Sequence, residues 1–207
     1  IGIWTNIVDA TGCLVVPGLV DIHSHVYPLA GFGASIETAC FSAGVTTTLD
    51  CGSAGCDDYE ARRGIIDYTH LRIKTLLYAA PGGIISGGGH ENVDPALYNF
   101  EKTKALAEKY KGEILGLKIR QGEEIVGTLG LEPLKATIKY AERLGLPVMV
   151  HCSNPPGELG NMISLLRPGD ILTHAYQDLR STRVDDAGKV KAAARGARAR
   201  GVLFDVA

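Results

Sequence analysis

Short apolar runs alternate along this chain with longer stretches whose apolar positions recur every three or four residues. The runs LVDIHS (19–24), VTTTLD (45–50), LRIKTLLYAA (71–80), EILGLKI (113–119), LPVMVHC (146–152), DILTHAY (170–176) and VLFDV (202–206) read as strands, because they are brief and rich in branched apolar residues. The stretches between them read as helices: 34–44, ending at Gly44; 57–70; 94–110, with Asp94 as its cap and Pro95 at its first position; 131–145, stopped by Gly145; 157–169; and 186–201. Strands separated by helices pair in parallel, since parallel neighbours need a crossover. Nearly continuous apolar strands suit a sheet covered by helices on one face and by a packed interior on the other. A barrel and an open Rossmann-like sheet both satisfy this pattern. No GxGxxG follows the first strand, and the Gly-rich GGIISGGGH (82–90) lacks the Lys-Ser/Thr of a phosphate loop. That segment reads as a loop over the site.

The 207 residues suffice for one domain with a sizeable core. Hydrophobic residues make up 45% and charged residues 21%, with 26 glycines, which points to many tight loops. The formal net charge of -2 offers nothing to nucleic acid or to an acidic membrane surface. The basic positions 189, 191, 195, 198 and 200 have the spacing of a solvated helix face. Five cysteines, an odd count without zinc-ribbon spacing, read as reduced thiols of a cytoplasmic protein. No signal peptide or long apolar span is visible.

The chemistry lies at the strand ends. His23 and His25 fall at the carboxyl end of the first strand, two residues apart and so on one side of it. His151 ends the fifth strand and His174 the sixth, and Lys118 lies near the end of the fourth. Polar groups at carboxyl strand ends line the functional face of a barrel. Four of the six histidines are placed this way, leaving His70 and His90. Four neutral imidazoles suit a borderline metal such as zinc. Lys118 has two readings. Its ammonium carries only donors and cannot ligate a cation, so it either turns outward to pair with Glu123 or Glu124, or adds CO₂ to become an anionic carbamate with two oxygens.

The stretch VPGLVDIHSH (16–25) resembles the opening of amidohydrolase-superfamily enzymes. TTTLDCGSAG (46–55), GLKIR (116–120), PVMVHCSNPP (147–156), RPGDILTHAY (167–176) and RGVLFDV (200–206) are similar to one branch, the dihydroorotase-like amidohydrolase/deacetylase family. The resemblance implies a TIM-like (β/α) barrel of the metal-dependent hydrolase type. It implies two zinc ions or other divalent metals, His23 and His25 on the buried metal, carboxylated Lys118 bridging both, and His151 and His174 on the outer one. A metal-bridging hydroxide would attack the amide or ester carbonyl of a small acylated compound, such as an N-acyl amino acid. Lys118 and His174 are then the candidate catalytic residues. A dihydroorotase- or hydantoinase-like cyclic amidase is an alternative with the same ligands; a metal-binding fragment without turnover is another.

The family also carries an Asp at the end of an eighth strand and a small β-sandwich. Here seven strands are visible, Asp205 belongs to the seventh and does not match that Asp, and residues 1–18 read as a sandwich remnant preceding a barrel domain at 19–207. The expectation is therefore an incomplete barrel, from a fragment, a truncated gene product or a chain trimmed at both ends, whose free edges a second copy would cover in a homo-oligomer. Three further residues complete the candidate site. Asp50 would support a metal-bound imidazole or simply cap its turn. Arg120 would clamp a substrate carboxylate, and Asn154 would hydrogen-bond substrate. Cys152 should point away from the site by alternation, while His90 and Tyr176 are loop residues within reach of the active face.

Overall fold

The computed structural model describes residues 7–27, 36–84, 91–177, 183–185 and 187–207. The strands are β1 (Leu19–Ser24), β2 (Val45–Gly55), β3 (Arg72–Tyr78), β4 (Ile114–Arg120), β5 (Val148–His151), β6 (Ile171–Thr173) and β7 (Leu203–Phe204). The helices are α1 (Ile36–Ser42), α2 (Tyr59–Arg62), α3 (Ile65–Tyr68), α4 (Phe100–Lys109), α5 (Glu123–Val126), α6 (Glu132–Leu144), α7 (Leu159–Ser164) and α8 (Ala192–Arg200). The strands form one parallel sheet in sequential order, each paired with its predecessor. The sheet curls without closing, and β1 and β7 share no ladder. The architecture is a (β/α) barrel with seven of its eight strands.

Alternation along the strands divides the apolar side chains into two cores. A small interior cluster holds Cys51, Leu76 and Met149, with Leu49 and Ile171 against it. The larger cluster lies between sheet and helices. Helix α6 contributes Leu134, Thr137, Ile138 and Ala141, the spacing of one apolar face. It starts at Glu132 and Pro133, which needs no N–H there, and stops at Gly145, whose left-handed conformation (φ 67°) suits glycine.

Some predicted helices are shorter than their patterns. The stretch 94–110 divides because it holds two caps. The Asp94 carboxylate accepts from Ala96 N at 2.9 Å and starts a single 3-10 turn, Pro95–Leu97. Asn99 then takes an extended conformation and accepts from Lys102 N at 3.0 Å to start α4. The stretch 57–70 becomes α2 and α3, joined through a tighter turn in which Ile66 N donates to Arg63 O at 2.8 Å. The last helix begins at Ala192 rather than 186, because Val184 and Val190 pair in an antiparallel bridge before it. Residues 7–18 contain no strand, and Ile7, Val8, Leu14, Val15 and Val16 are exposed there. The Gly-rich loop is described only at 82–84, so the reading of 85–90 and of His90 lies outside the described residues.

Asp170 fastens the amino ends of β5, β6 and β7. Its buried carboxylate accepts from Val148 N (2.8 Å), from Arg167 N (2.8 Å) and from the Arg167 guanidinium (2.8 and 3.0 Å), while its carbonyl accepts from Leu203 N (2.9 Å). Removing the carboxylate strands a buried N–H and a half-shielded guanidinium. We expect Asp170→Ala to cost about 2–4 kcal/mol, read as a lower urea midpoint at unchanged m. A loss below about 1 kcal/mol would show that the carboxylate is dispensable.

Candidate metal centre

The histidines meet at the carboxyl end of the sheet. His23 lies within β1 and His25 one residue beyond it, with ring centroids 5.9 Å apart. His174 follows β6, its ring 5.0 Å from that of His23 and 4.5 Å from that of His151, the last residue of β5. His174 and its neighbour Thr173 both face this point, although strand alternation would oppose them. The backbone resolves the conflict: His174 has φ 55°, the single non-glycine residue with positive φ among the described residues. That left-handed turn costs on the order of 1 kcal/mol and re-aims the imidazole.

Three of the rings turn Nδ1 toward the protein. His25 Nδ1 is 2.9 Å from Ser53 Oγ, and His174 Nδ1 meets the Ala207 carbonyl. His23 Nδ1 lies 2.8 Å from Thr173 Oγ1 and 3.1 Å from Asp205 Oδ2, while its Nε2 is 3.3 Å from Lys118 Nζ. A ring held this way presents its other nitrogen to a ligand.

Burial sets the charge states. Desolvation first, and the nearby Lys118 second, push His23 and His25 down to about 4. Burial and then Arg120 push His151 down to about 2, and burial lowers His174. The four imidazoles are therefore neutral near pH 7, the form that binds metal. Lys118 is 1% exposed, and burial lowers its amine to about 8, against the pull of Cys51, Asp205 and Asp50. It meets His23 and the Met149 sulfur (3.4 Å) and, among the described residues, forms no ion pair; the outward pairing with Glu123 or Glu124 does not occur. Asp205 stays below the usual carboxylate range: burial opposes this, but hydrogen bonds from Thr173 and His23 outweigh it.

Asp50 is fully buried and raised to about 6 by that burial. It accepts from Val26 N and Ser53 N, both at 2.9 Å, so it holds the backbone on which His25 and its Ser53 partner depend rather than the ring itself. Arg120 ends β4, and its guanidinium pairs with the buried Glu91 carboxylate, which also accepts from Tyr78 Oη. Asn154 donates to Glu123 Oε2 at 3.2 Å and accepts from Glu123 N at 2.7 Å through its carbonyl. Cys152 is buried, its thiol donating to Gln121 O at 3.6 Å, and Tyr176 is exposed. His70 precedes β3, at the opposite end of the sheet. Sequence reasoning did not pick out Thr173, Glu91 or Tyr78, and it dismissed Asp205; strand-end position was the available signal for Thr173 and Asp205. Among the described residues, no three His, Cys, Asp or Glu side chains stand ready to hold one metal ion.

The sequence matches the amidohydrolase family over residues 14–206. It is 32% identical over 176 residues to a deacetylase of Agrobacterium fabrum, covering 83% of this chain and 43% of that protein. A dihydroorotase crystal structure superposes with TM-score 0.77 at 29% identity, over 92% of this chain and 53% of that one. An adenine deaminase crystal structure shares the fold with TM-score 0.84 at 24% identity, over 91% and 52%. The chain thus spans less than half the length of the curated deacetylase and about half that of the two structures. Among the described residues no helix is long and apolar enough to cross a membrane.

Gly52 makes room for the buried amine. It has φ 87°, and a Cβ there would stand 2.7 Å from Lys118 Cγ and 2.8 Å from Tyr78 Cδ2. Gly52→Ala combines backbone strain with overpacking, and we expect a loss of about 2–4 kcal/mol by thermal unfolding. An alanine variant as stable as the parent would show that this contact relaxes freely.

Proposed function

Because the chain belongs to the amidohydrolase family, we propose that His23, His25, Lys118, His151 and His174 hold a pair of divalent metals, zinc by donor chemistry, in an enzyme that hydrolyses an amide or ester bond of a small acylated compound. The observation that carries this reading is Lys118: a buried primary amine, without an ion pair among the described residues, facing an imidazole nitrogen at 3.3 Å. An ammonium there is poorly solvated and would repel a cation. Its neutral form can add CO₂, releasing one proton and leaving a carbamate whose oxygens would be anionic metal ligands. That anion would add a negatively charged ligand to the imidazoles.

When bound, the metals supply an acidified water and polarise the scissile carbonyl. The residues of this chain would do the rest: His23, His25, His151 and His174 would hold the metals through their imidazoles, and carboxylated Lys118 would supply the anionic ligand. Lys118 and His174 are the residues proposed to act at the reacting atoms. Arg120 is proposed to clamp a substrate carboxylate and Asn154 to hydrogen-bond substrate. Asp50, through the backbone of Val26 and Ser53, holds His25 in place.

The similarity to a deacetylase favours a linear acyl substrate, for example an N-acyl amino acid. The dihydroorotase structure favours a cyclic amide as the second reading, and metal binding without turnover is the third.

Plasma mass spectrometry on undialysed protein should find about two equivalents of metal. Lys118→Ala should retain fewer and lose more than about 100-fold in rate, the upper range for losing a mere support of a ligand. Near-zero metal in the parent protein would sink the reading. A panel of linear N-acetyl amino acids against cyclic imides separates the first two activities, and full metal with no turnover of either supports the third.

A further inference from the structure

Asp205 stands beside His23 although 182 positions separate them in sequence. The two residues belong to opposite edges of the open sheet, which share no ladder. Their side chains are both nearly buried, 7% and 9% exposed. Thr173, fully buried, completes the group: its Oγ1 donates to Asp205 Oδ2 at 2.7 Å and lies 2.8 Å from His23 Nδ1.

Counting donors fixes the protons. The Thr173 hydroxyl has one hydrogen, and it goes to Asp205. Toward His23 the hydroxyl then offers only a lone pair, and the carboxylate offers only lone pairs as well. A bare Nδ1 would face two acceptors, so Nδ1 carries the proton of the neutral ring. The lone pair of His23 therefore sits on Nε2, the nitrogen that faces Lys118. Deleting Asp205 leaves Thr173 free to rotate and donate to Nδ1, which would favour the opposite tautomer and a blocked Nε2.

We propose that Asp205, anchored by Thr173, is a positioning residue: it fixes His23 with Nδ1 protonated and Nε2 open, and it does so across the open side of the sheet. The value of an open Nε2 rests on the reading of His23 as a metal ligand; the tautomer itself does not. Partners of this kind fix ring orientation and raise ligand basicity, and losing one costs about 10–100-fold in metal affinity.

The test takes the parent protein with Asp205→Ala, Asp205→Asn and Thr173→Val, each checked for folding by circular dichroism. Long-range ¹H–¹⁵N correlation of the His23 ring in chelator-treated protein reads the tautomer, and competition against a zinc-binding dye reads affinity. The expected result is protonated Nδ1 in the parent, a shift toward protonated Nε2 in Asp205→Ala, and zinc binding weaker by about 10–100-fold. Asp205→Asn keeps an acceptor of the same shape and should recover part of both signals. Thr173→Val, which leaves the carboxylate in place, should keep the tautomer. A role limited to stability would lower the melting temperature of the variants and leave the tautomer unmoved, which would overturn the proposal. So would protonated Nε2 in the parent. If the parent binds no zinc, the metal reading falls, and the tautomer measurement alone decides the role of Asp205.

Discussion

Removing a primary amine from water is costly, and this sheet removes Lys118 almost completely, to 1% exposure. The rest of the site is arranged around that group. Below it the interior is apolar, with Met149, Cys51 and Leu76 filling the space between strands. Beside it Gly52 gives up a side chain, because any Cβ would collide with the Lys118 stem. Above it stand imidazoles that are themselves kept neutral by burial. Such a lysine is not placed for stability: an apolar residue of similar volume would avoid the desolvation cost. Its presence at a strand end, where barrel chemistry is found, argues for function.

The same site bears on how the two sheet edges meet. Among the described residues β1 and β7 share no ladder, and Val20, Ile22 and Leu203 are exposed along them. Between these edges, His23, Thr173 and Asp205 form a short polar bridge. The proposed positioning of His23 and the approach of β7 to β1 are then one event. Displacing β7 removes the acceptor that orients a candidate ligand on β1.

The sequence disclosed most of this where a local rule applied. Buried parallel strands announce themselves as apolar runs, so all seven strands were legible, and the two-residue spacing of His23 and His25 put both on one side. Helix limits were less legible where two caps lie close together. Asp94 and Asn99 each begin a helical turn, and nothing local ranks one above the other. His174 was placed from its strand-end position and the family resemblance, but the left-handed backbone that lets it face the same way as Thr173 was not legible, because histidine is only enriched at positive φ and no local pattern marks which histidine adopts it. Asp205 was set apart from the family's eighth-strand Asp because it belongs to the seventh strand-like run. Its contact with His23 depends on the curvature of the whole sheet, which no local pattern encodes.

The chemistry and the choice of substrate reside in different residues on the proposed reading. The imidazoles and Lys118 would be the same for a linear amide and a cyclic one, since the metals act on the carbonyl and not on what lies beyond it. Discrimination must come from groups that touch the rest of the substrate. Arg120 is the best placed, ending β4 within electrostatic reach of His25 and His151. It is already engaged by Glu91, whose side chain is only 3% exposed and which Tyr78 also holds. Its Nη1 is thus committed to Glu91, and on the proposed reading the remaining donors of the fork would meet a substrate carboxylate. Glu91 also cancels the charge of Arg120, so the pair contributes geometry more than net attraction. An anionic substrate would be drawn by the metals and oriented by Arg120, and a neutral substrate would lose the orientation but keep the chemistry.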